Sequence, residues 1–324
     1  MISIIGSETL LGREMREVLV EHGFGKSLQL IGAQDELALT ENAGEPAVLT
    51  PMDADRLQSS ALIFAAGSVE STRRAWQLAG DGPTFVDLSY GLEDVPEARL
   101  RAPMADGTET ISRAHVVAHP AAVSIALVLE HLPSRVRHSV VHVFEPASER
   151  GQAGINELQQ QTTSLLSFRQ LDKKVFDAQL GFAMLPRYGE DAPEQLQTVE
   201  SRIERHLASL LASKKSIPMP SVRLIQAPVF HGYSLSFWIE LEERPSMEDI
   251  EEALVSSHIE VRAADLDAPS NVGVAGQRGL TAGVIEADRN HARAVWLWVV
   301  ADNFKMLVDN AMDVARPMLP GARL

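Results

Sequence analysis

The chain opens, after Met1, with Ile2-Ser3-Ile4-Ile5-Gly6-Ser7-Glu8-Thr9-Leu10-Leu11-Gly12. A short apolar run ends at Gly6, and the stretch from Thr9 to His22 carries apolar residues at 10, 11, 15, 18 and 19, the spacing of one helical face. Strand, glycine turn and helix in this order predict the first βα unit of a parallel sheet. Gly6 and Gly12 stand where a dinucleotide-binding turn would place glycines, with the free N–H groups of the helix start facing a pyrophosphate. The middle glycine of that fingerprint is absent. Thr9 occupies its place and Glu8 adds a negative charge, so a turn tightened by two glycines and capped by Thr9 fits the same residues.

The pattern continues outward. Apolar runs at Leu28–Ile31, Ala61–Ala65 and Thr84–Leu88 predict strands, and a helix over Val69–Leu78 is capped by Ser68. Alternating strands and helices imply a parallel sheet covered by helices. Beyond Pro120 the order changes: a buried helix over 121–132, a strand over 136–144, a helix over 151–167, a helix over Glu200–Leu211, and strands over 222–230, 234–241 and 294–301. This second part reads as a mixed α+β sheet. Asn303 to Met318, apolar at 304, 307, 308, 311, 314, 315 and 318, predicts a terminal amphipathic helix.

The 324 residues carry 29 Lys and Arg against 44 Asp and Glu, a net charge of −15, with 45% hydrophobic residues. Such a length predicts two domains with full hydrophobic cores. The acidic balance disfavours nucleic acid and anionic membranes as partners. No basic segment precedes an apolar stretch at the start, and no run is long enough to span a bilayer, which predicts a cytoplasmic protein. Zero cysteines exclude disulfides, zinc thiolates and thiolate nucleophiles together. His115/His119 and His138/His142 have i,i+4 spacing, but neither pair has an attached carboxylate cluster. They predict surface or interface histidines, with no metal. Ser148, on the loop after the 136–144 strand, has no matched base near it in sequence and is expected to be a cap.

Several strings in one order resemble the aspartate-β-semialdehyde dehydrogenase family across essentially the whole chain. Gly6 to Gly12 matches G-A-T-G-x-V-G, Phe64-Ala65-Ala66-Gly67-Ser68 matches F-S-A-G-G, and Asp87-Leu88-Ser89 matches D-N-S-S. Gly151-Gln152-Ala153-Gly154-Ile155-Asn156-Glu157-Leu158 matches G-x-x-G-I-E-E-L, Pro228-Val229 matches the P-V of the substrate strand, and Trp298 to Asn303 matches W-x-V-x-D-N.

The resemblance implies a Rossmann domain over 1–123, an α+β dimerisation domain like that of glyceraldehyde-phosphate dehydrogenase over 124–302, and a helix over 303–324 that packs on the first domain. It further implies amino-acid biosynthesis, homodimers through the second domain, and NAD or NADP held at Gly6, Thr9, Leu10, Leu11, Gly12, Gly67 and Ser68.

The family's catalytic residues are missing at the matching positions. The cysteine of N-P-N-C-[ST] is Ala122, in His119-Pro120-Ala121-Ala122-Val123-Ser124, and a methyl group cannot form a thioester. The histidine of G-H-S is Tyr233. His231 lies two residues away, roughly 7 Å along a strand, too far for an unchanged proton transfer. The substrate arginine is Gln226, the glutamine ending the second-domain strand is Glu145, and two phosphate-binding cations are Glu93 and Leu196. After the second strand, Gln34-Asp35-Glu36 opposes a 2′-phosphate and favours NAD over NADP.

Three functions follow. The first is a dimeric scaffold or regulator without catalysis. The second is an oxidoreductase of altered, non-covalent chemistry on a small amino-acid-derived aldehyde or ketone, with Tyr233 as acid and His231 or Glu145 as base. The third is a sensor holding a small ligand in the former cleft.

Overall fold

The computed structural model describes residues 1–33, 38–42, 45–107, 112–214, 216–244 and 246–319. In chain order its elements are β1 (Ile2–Ile5), α1 (Leu10–Glu21), β2 (Leu28–Ile31), β3 (Ala38–Asn42), β4 (Glu45–Leu49), α2 (Ala54–Gln58), β5 (Leu62–Ala65), α3 (Val69–Ala79), β6 (Thr84–Asp87), β7 (Ala98–Arg101) and β8 (Ala114–Val117). There follow α4 (Pro120–Glu130), β9 (Val136–Glu145), α5 (Gly151–Leu166), α6 (Leu196–Leu211), β10 (Ser221–Gln226), β11 (Tyr233–Leu241), α7 (Met247–Leu254), β12 (Ile259–Val261), β13 (Leu280–Ala287), β14 (Ala294–Ala301) and α8 (Asn303–Ala315).

Two compact units emerge, Met1–Ala118 with the chain from Leu307 onward, and His119–Met306. The divisions lie at 118/119 and 306/307, beside the expected 123/124 and 302/303. Pro120 at the first turn of α4, behind the His119 cap, keeps that helix whole within the second unit.

The first unit is a six-stranded parallel sheet in the order β2-β1-β5-β6-β8-β7. Most of the strands are short and largely apolar, as a sheet covered on both faces requires, while the edge strand β7 carries Arg99 and Arg101. On one face Ile2, Ile4 and Phe64 pack with Met15, Val18 and Leu19 of α1 and with Leu307, Val308, Ala311 and Met312 of α8. On the other, Ile5, Ile63 and Phe85 pack with Leu57 of α2 and with Ala75 and Ala79 of α3. The side chains of Ser68 and Ser71 each bond the other's backbone N–H, which fixes the start of α3.

The second unit is a mixed six-stranded sheet in the order β10-β9-β11-β14-β13-β12. Alternation along β9, β11 and β14 turns Val141, Val143, Leu235, Phe237, Leu297 and Val299 into the core, all of them buried. The opposite face presents Val140, Phe144, Trp238, Trp296 and Trp298, and Trp296 remains 40% exposed. The strand expected over 222–230 ends at Gln226. Val229 and Phe230 use their carbonyls to accept from Ala147 N and Ser148 N instead of extending the ladder. α6 begins at Leu196, one turn before the expected Glu200. Among the described residues no helix is long and apolar enough to cross a membrane.

Candidate functional site

β1 pairs with β2 on one side and β5 on the other, so the strand order reverses between β1 and β5. The crevice at that switch point is where doubly wound sheets bind nucleotides. Here the turn beside it is closely packed. Gly6 has φ +71°, and a Cβ on it would lie 2.3 Å from Gly67 Cα. A Cβ on Gly12 would lie 2.1 Å from the Gly6 carbonyl oxygen. Both glycines are therefore explained by backbone packing, and a Cβ on Gly67 would lie 2.5 Å from Ser71 Oγ.

Thr9 caps α1: its Oγ1 accepts from Gly12 N at 2.9 Å and donates to Ala66 O at 2.9 Å. Leu10 and Leu11 begin the helix, and Leu11 packs against the core. Glu8 Oε1 accepts from Ala33 N at 2.8 Å, beyond the end of β2, which places the chain's own carboxylate beside the turn. The charge reading at Gln34, Asp35 and Glu36 lies outside the described residues. Glu93 is half-buried and lies close enough to Asp87 to raise its carboxyl further, beyond the larger effect of burial.

In the second unit Ala122 lies in the first turn of α4 and is fully buried. His119 caps that helix, accepting from Ala121 N through Nδ1 at 3.2 Å, while its own N–H donates to His206 Nδ1 at 2.9 Å. Burial, aided by the charges of His206, Arg202 and Arg150, holds His119 well below the ordinary histidine range. It is neutral, and since Nδ1 accepts, Nε2 carries the proton and faces Tyr233 Oη at 3.5 Å. Tyr233 is fully enclosed. Neither His115 nor His119 is a surface residue as the spacing suggested. Both are buried, and burial with the nearby Arg101 charge lowers His115 to about 4. His138 lies on the open sheet face, bonded to Glu240 at 2.9 Å. Among the described residues no group of three ligating side chains could hold a metal.

At the ends of β9 and β10 a polar cluster links residues that are distant in sequence. Gln226 is buried: its Nε2 donates to Glu145 O at 2.8 Å and Ala227 O at 3.0 Å, and its Oε1 accepts from Tyr188 Oη at 2.6 Å. Arg150 Nη2 pairs with Glu145 Oε1 at 2.6 Å and Nη1 with Glu194 Oε2 at 2.9 Å, and Arg202 reaches the other Glu194 oxygen at 3.4 Å. Burial pushes Glu145 up to about 7 against the opposing pull of Arg150. Burial also works against the Arg150 charge, but the surrounding carboxylates, Glu145 foremost, raise its pKa overall. Position 226 carries no guanidinium, and that of Arg150 in the same cluster is already paired with Glu145 and Glu194. Leu196 is 1% exposed and belongs to the core.

Sequence reasoning did not single out Arg150, Tyr188, Glu194 or Arg202. Their pairing spans a segment punctuated by prolines, without periodicity to guide it. A second group lies close by in the chain: His231 joins Asp302 at 3.0 Å and Ser148 at 3.2 Å. The lone loop serine therefore does have a matched base.

Residues 129–305 match the family described as semialdehyde dehydrogenase, dimerisation domain. Similar proteins include an aspartate-semialdehyde dehydrogenase of Rickettsia bellii, 25% identical and covering 98% of this chain and 97% of its own. A USG-1 protein homolog of Azotobacter vinelandii is 28% identical, covering 99% and 98%. Among solved structures, a probable aspartate-semialdehyde dehydrogenase from Pseudomonas aeruginosa superposes with a TM-score of 0.85 at 25% identity, over 99% of both chains. The match spans more than half of the chain and the likeness of fold spans nearly all of it, so the chain belongs to the semialdehyde dehydrogenase family and is built on the aspartate-semialdehyde dehydrogenase fold.

Proposed function

We propose that this chain has left the phosphorylating dehydrogenase chemistry of its family and serves as a homodimeric scaffold or regulator. The observation that carries this reading is Ala122, a buried methyl group at the position where the family resemblance requires a thiolate. Tyr233 at the base position is sealed from solvent, Gln226 is locked by uncharged hydrogen bonds, and Glu145 replaces a neutral amide. Assay with aspartate semialdehyde, phosphate and either dinucleotide tests the reading.

The dimer would form on the open face of the second sheet. Trp238 and Trp296 both donate to Asp288, at 2.8 and 2.9 Å, and Phe144 and Trp298 rings lie 5.8 Å apart, so the aromatic surface is held in place. Phe237, next to Trp238 in sequence, is fully buried on the opposite face because strand alternation separates the two. A specific dimer should bury about 1,600 Å² here. Light scattering at micromolar concentration is expected to give twice the chain mass for the wild type and a monomer for Trp296→Asp. A wild-type monomer would refute the dimer.

For the dinucleotide, family membership supports NAD or NADP, with NAD preferred by Asp35 and Glu36. Affinity should be poor because Glu8 sets an acid beside the turn. Glu8→Ala is expected to raise NAD affinity about tenfold by calorimetric titration, the size of one removed charge repulsion. Tight NADP binding by the wild type would contradict both parts.

A further inference from the structure

The sequence predicts Ser148 as a helix cap, and caps bond backbone N–H groups. Among the described residues its hydroxyl instead bonds only side chains, those of His231 and Asn303. The loop after β9 holds it there, because Ala147 N and Ser148 N donate to Val229 O and Phe230 O at 2.8 and 2.9 Å and so dock the serine against the turn that carries His231. The His231 backbone is fixed in its turn by Asn271 Nδ2, which donates to its carbonyl at 2.9 Å.

The hydrogen positions follow from the partners. Asp302 is an acceptor: Oδ1 takes the N–H groups of Phe304 and Lys305, both at 3.0 Å, and Oδ2 takes Gly276 N at 2.7 Å and His231 Nε2 at 3.0 Å. Burial opposes its charge, but the His231 bond and the backbone donors hold its carboxyl below the ordinary range. Nε2 of His231 therefore carries a proton, and in the neutral ring Nδ1 presents a lone pair 3.2 Å from Ser148 Oγ. The Asn303 amide is oriented by Gly232 N, which donates to its Oδ1 at 3.1 Å, and by Glu149 Oε1, which accepts from its Nδ2 at 2.7 Å. Nδ2 then also donates to Ser148 Oγ at 3.2 Å, and the serine proton has two acceptors, His231 Nδ1 at 3.2 Å and, longer, Asn303 Oδ1 at 3.5 Å. With the ring in its neutral form, serine donates to an imidazole that is itself anchored by a carboxylate, the polarity a serine nucleophile needs.

We propose that Ser148, His231 and Asp302 form a nucleophilic site that hydrolyses small activated carboxylic esters, an activity separate from the family's dehydrogenase chemistry and independent of its loss. Ser148 Oγ bonds to the acyl carbon as its proton passes to His231 Nδ1. The bond from that carbon to the alcohol oxygen breaks, and the alcohol leaves with the proton from His231. Water then adds to the acyl carbon, giving a proton to His231, and Ser148 departs with that proton as the carboxylic acid is released. Asp302 is a positioning residue that fixes the tautomer. Ser148 is only 1% exposed while the His231 side chain is 29% exposed, so access runs past the His231 turn and confines the site to small acyl groups and slow turnover.

The test uses the full chain with p-nitrophenyl acetate and, separately, a small fluorophosphonate followed by peptide mapping, with no dinucleotide or phosphate present. The expected adduct is on Ser148. Ester hydrolysis should fall at least about tenfold in Ser148→Ala, in His231→Gln and in Asp302→Asn. Asn at 302 can still cap α8, so that variant should keep its melting temperature within a few degrees while the His231 ring nitrogens change their NMR signature. An adduct on another residue, no adduct, or hydrolysis unchanged in Ser148→Ala would overturn the proposal. Mapping the adduct on wild-type protein decides the question even where a variant fails to fold.

Discussion

Arg150→Ala is expected to destabilise the chain by about 3–5 kcal/mol, because removing one partner of a buried ion pair leaves its carboxylates without compensation. Glu145 is fully buried and loses its 2.6 Å contact, and Glu194 keeps only the longer reach from Arg202. Denaturant unfolding at neutral pH measures the loss. The pH dependence carries a distinct sign. Glu145 already titrates near 7 in the fold, above its unfolded value, so the folded state binds more protons than the unfolded state between about 4.5 and 7. Its contribution is favourable at the acid end of that window and is lost as pH rises through the folded pKa. Without Arg150 the folded pKa rises further, so the variant should lose more stability than the wild type on going from pH 5 to pH 8. An equal loss at both pH values would contradict the pairing described here.

Ala122→Cys alone is expected to leave phosphate-dependent dehydrogenase turnover at background, about 10⁶-fold below a working enzyme of this type, since groups that act together fail together. The introduced thiol would lie in a fully buried helical turn, where burial opposes the thiolate, three residues from a His119 that is held neutral. Adding Tyr233→His still leaves Gln226 in place of the carboxylate-binding arginine and Glu145 in place of an amide. Measurable turnover by the single Cys variant would mean that the site is intact apart from one atom.

Much of the fold is legible in the sequence because it rests on local pattern. The Ile2–Ile5 run, the 3.6-residue spacing of α1 and α8, and the serine cap of α3 each specify an element within a few turns of chain. The strand ending at Gln226 reads too long because Ala227 to Phe230 looks equally apolar, and only the docking of Ala147 and Ser148 on Val229 and Phe230 shows where the ladder stops. β7, β8, β12 and β13 escape a reading by pattern. They are short or weakly patterned, although β7 pairs with β8 and β12 with β13, their neighbours in sequence.

Single positions in the site are legible wherever a residue type itself excludes a chemistry, as Ala122 does. Networks are not. Arg150 meets Glu194 across 44 positions, and Ser148 meets His231 across 83, separations at which sequence spacing carries no geometry.

On the function proposed above, the dehydrogenase fold persists here without dehydrogenase chemistry. That function is tested most directly by incubating the wild-type protein with aspartate semialdehyde and inorganic phosphate, adding NAD or NADP in turn, and following reduced dinucleotide. The expected rate equals that of the protein-free control with either cofactor. A rate that scales with protein concentration and requires phosphate would contradict it.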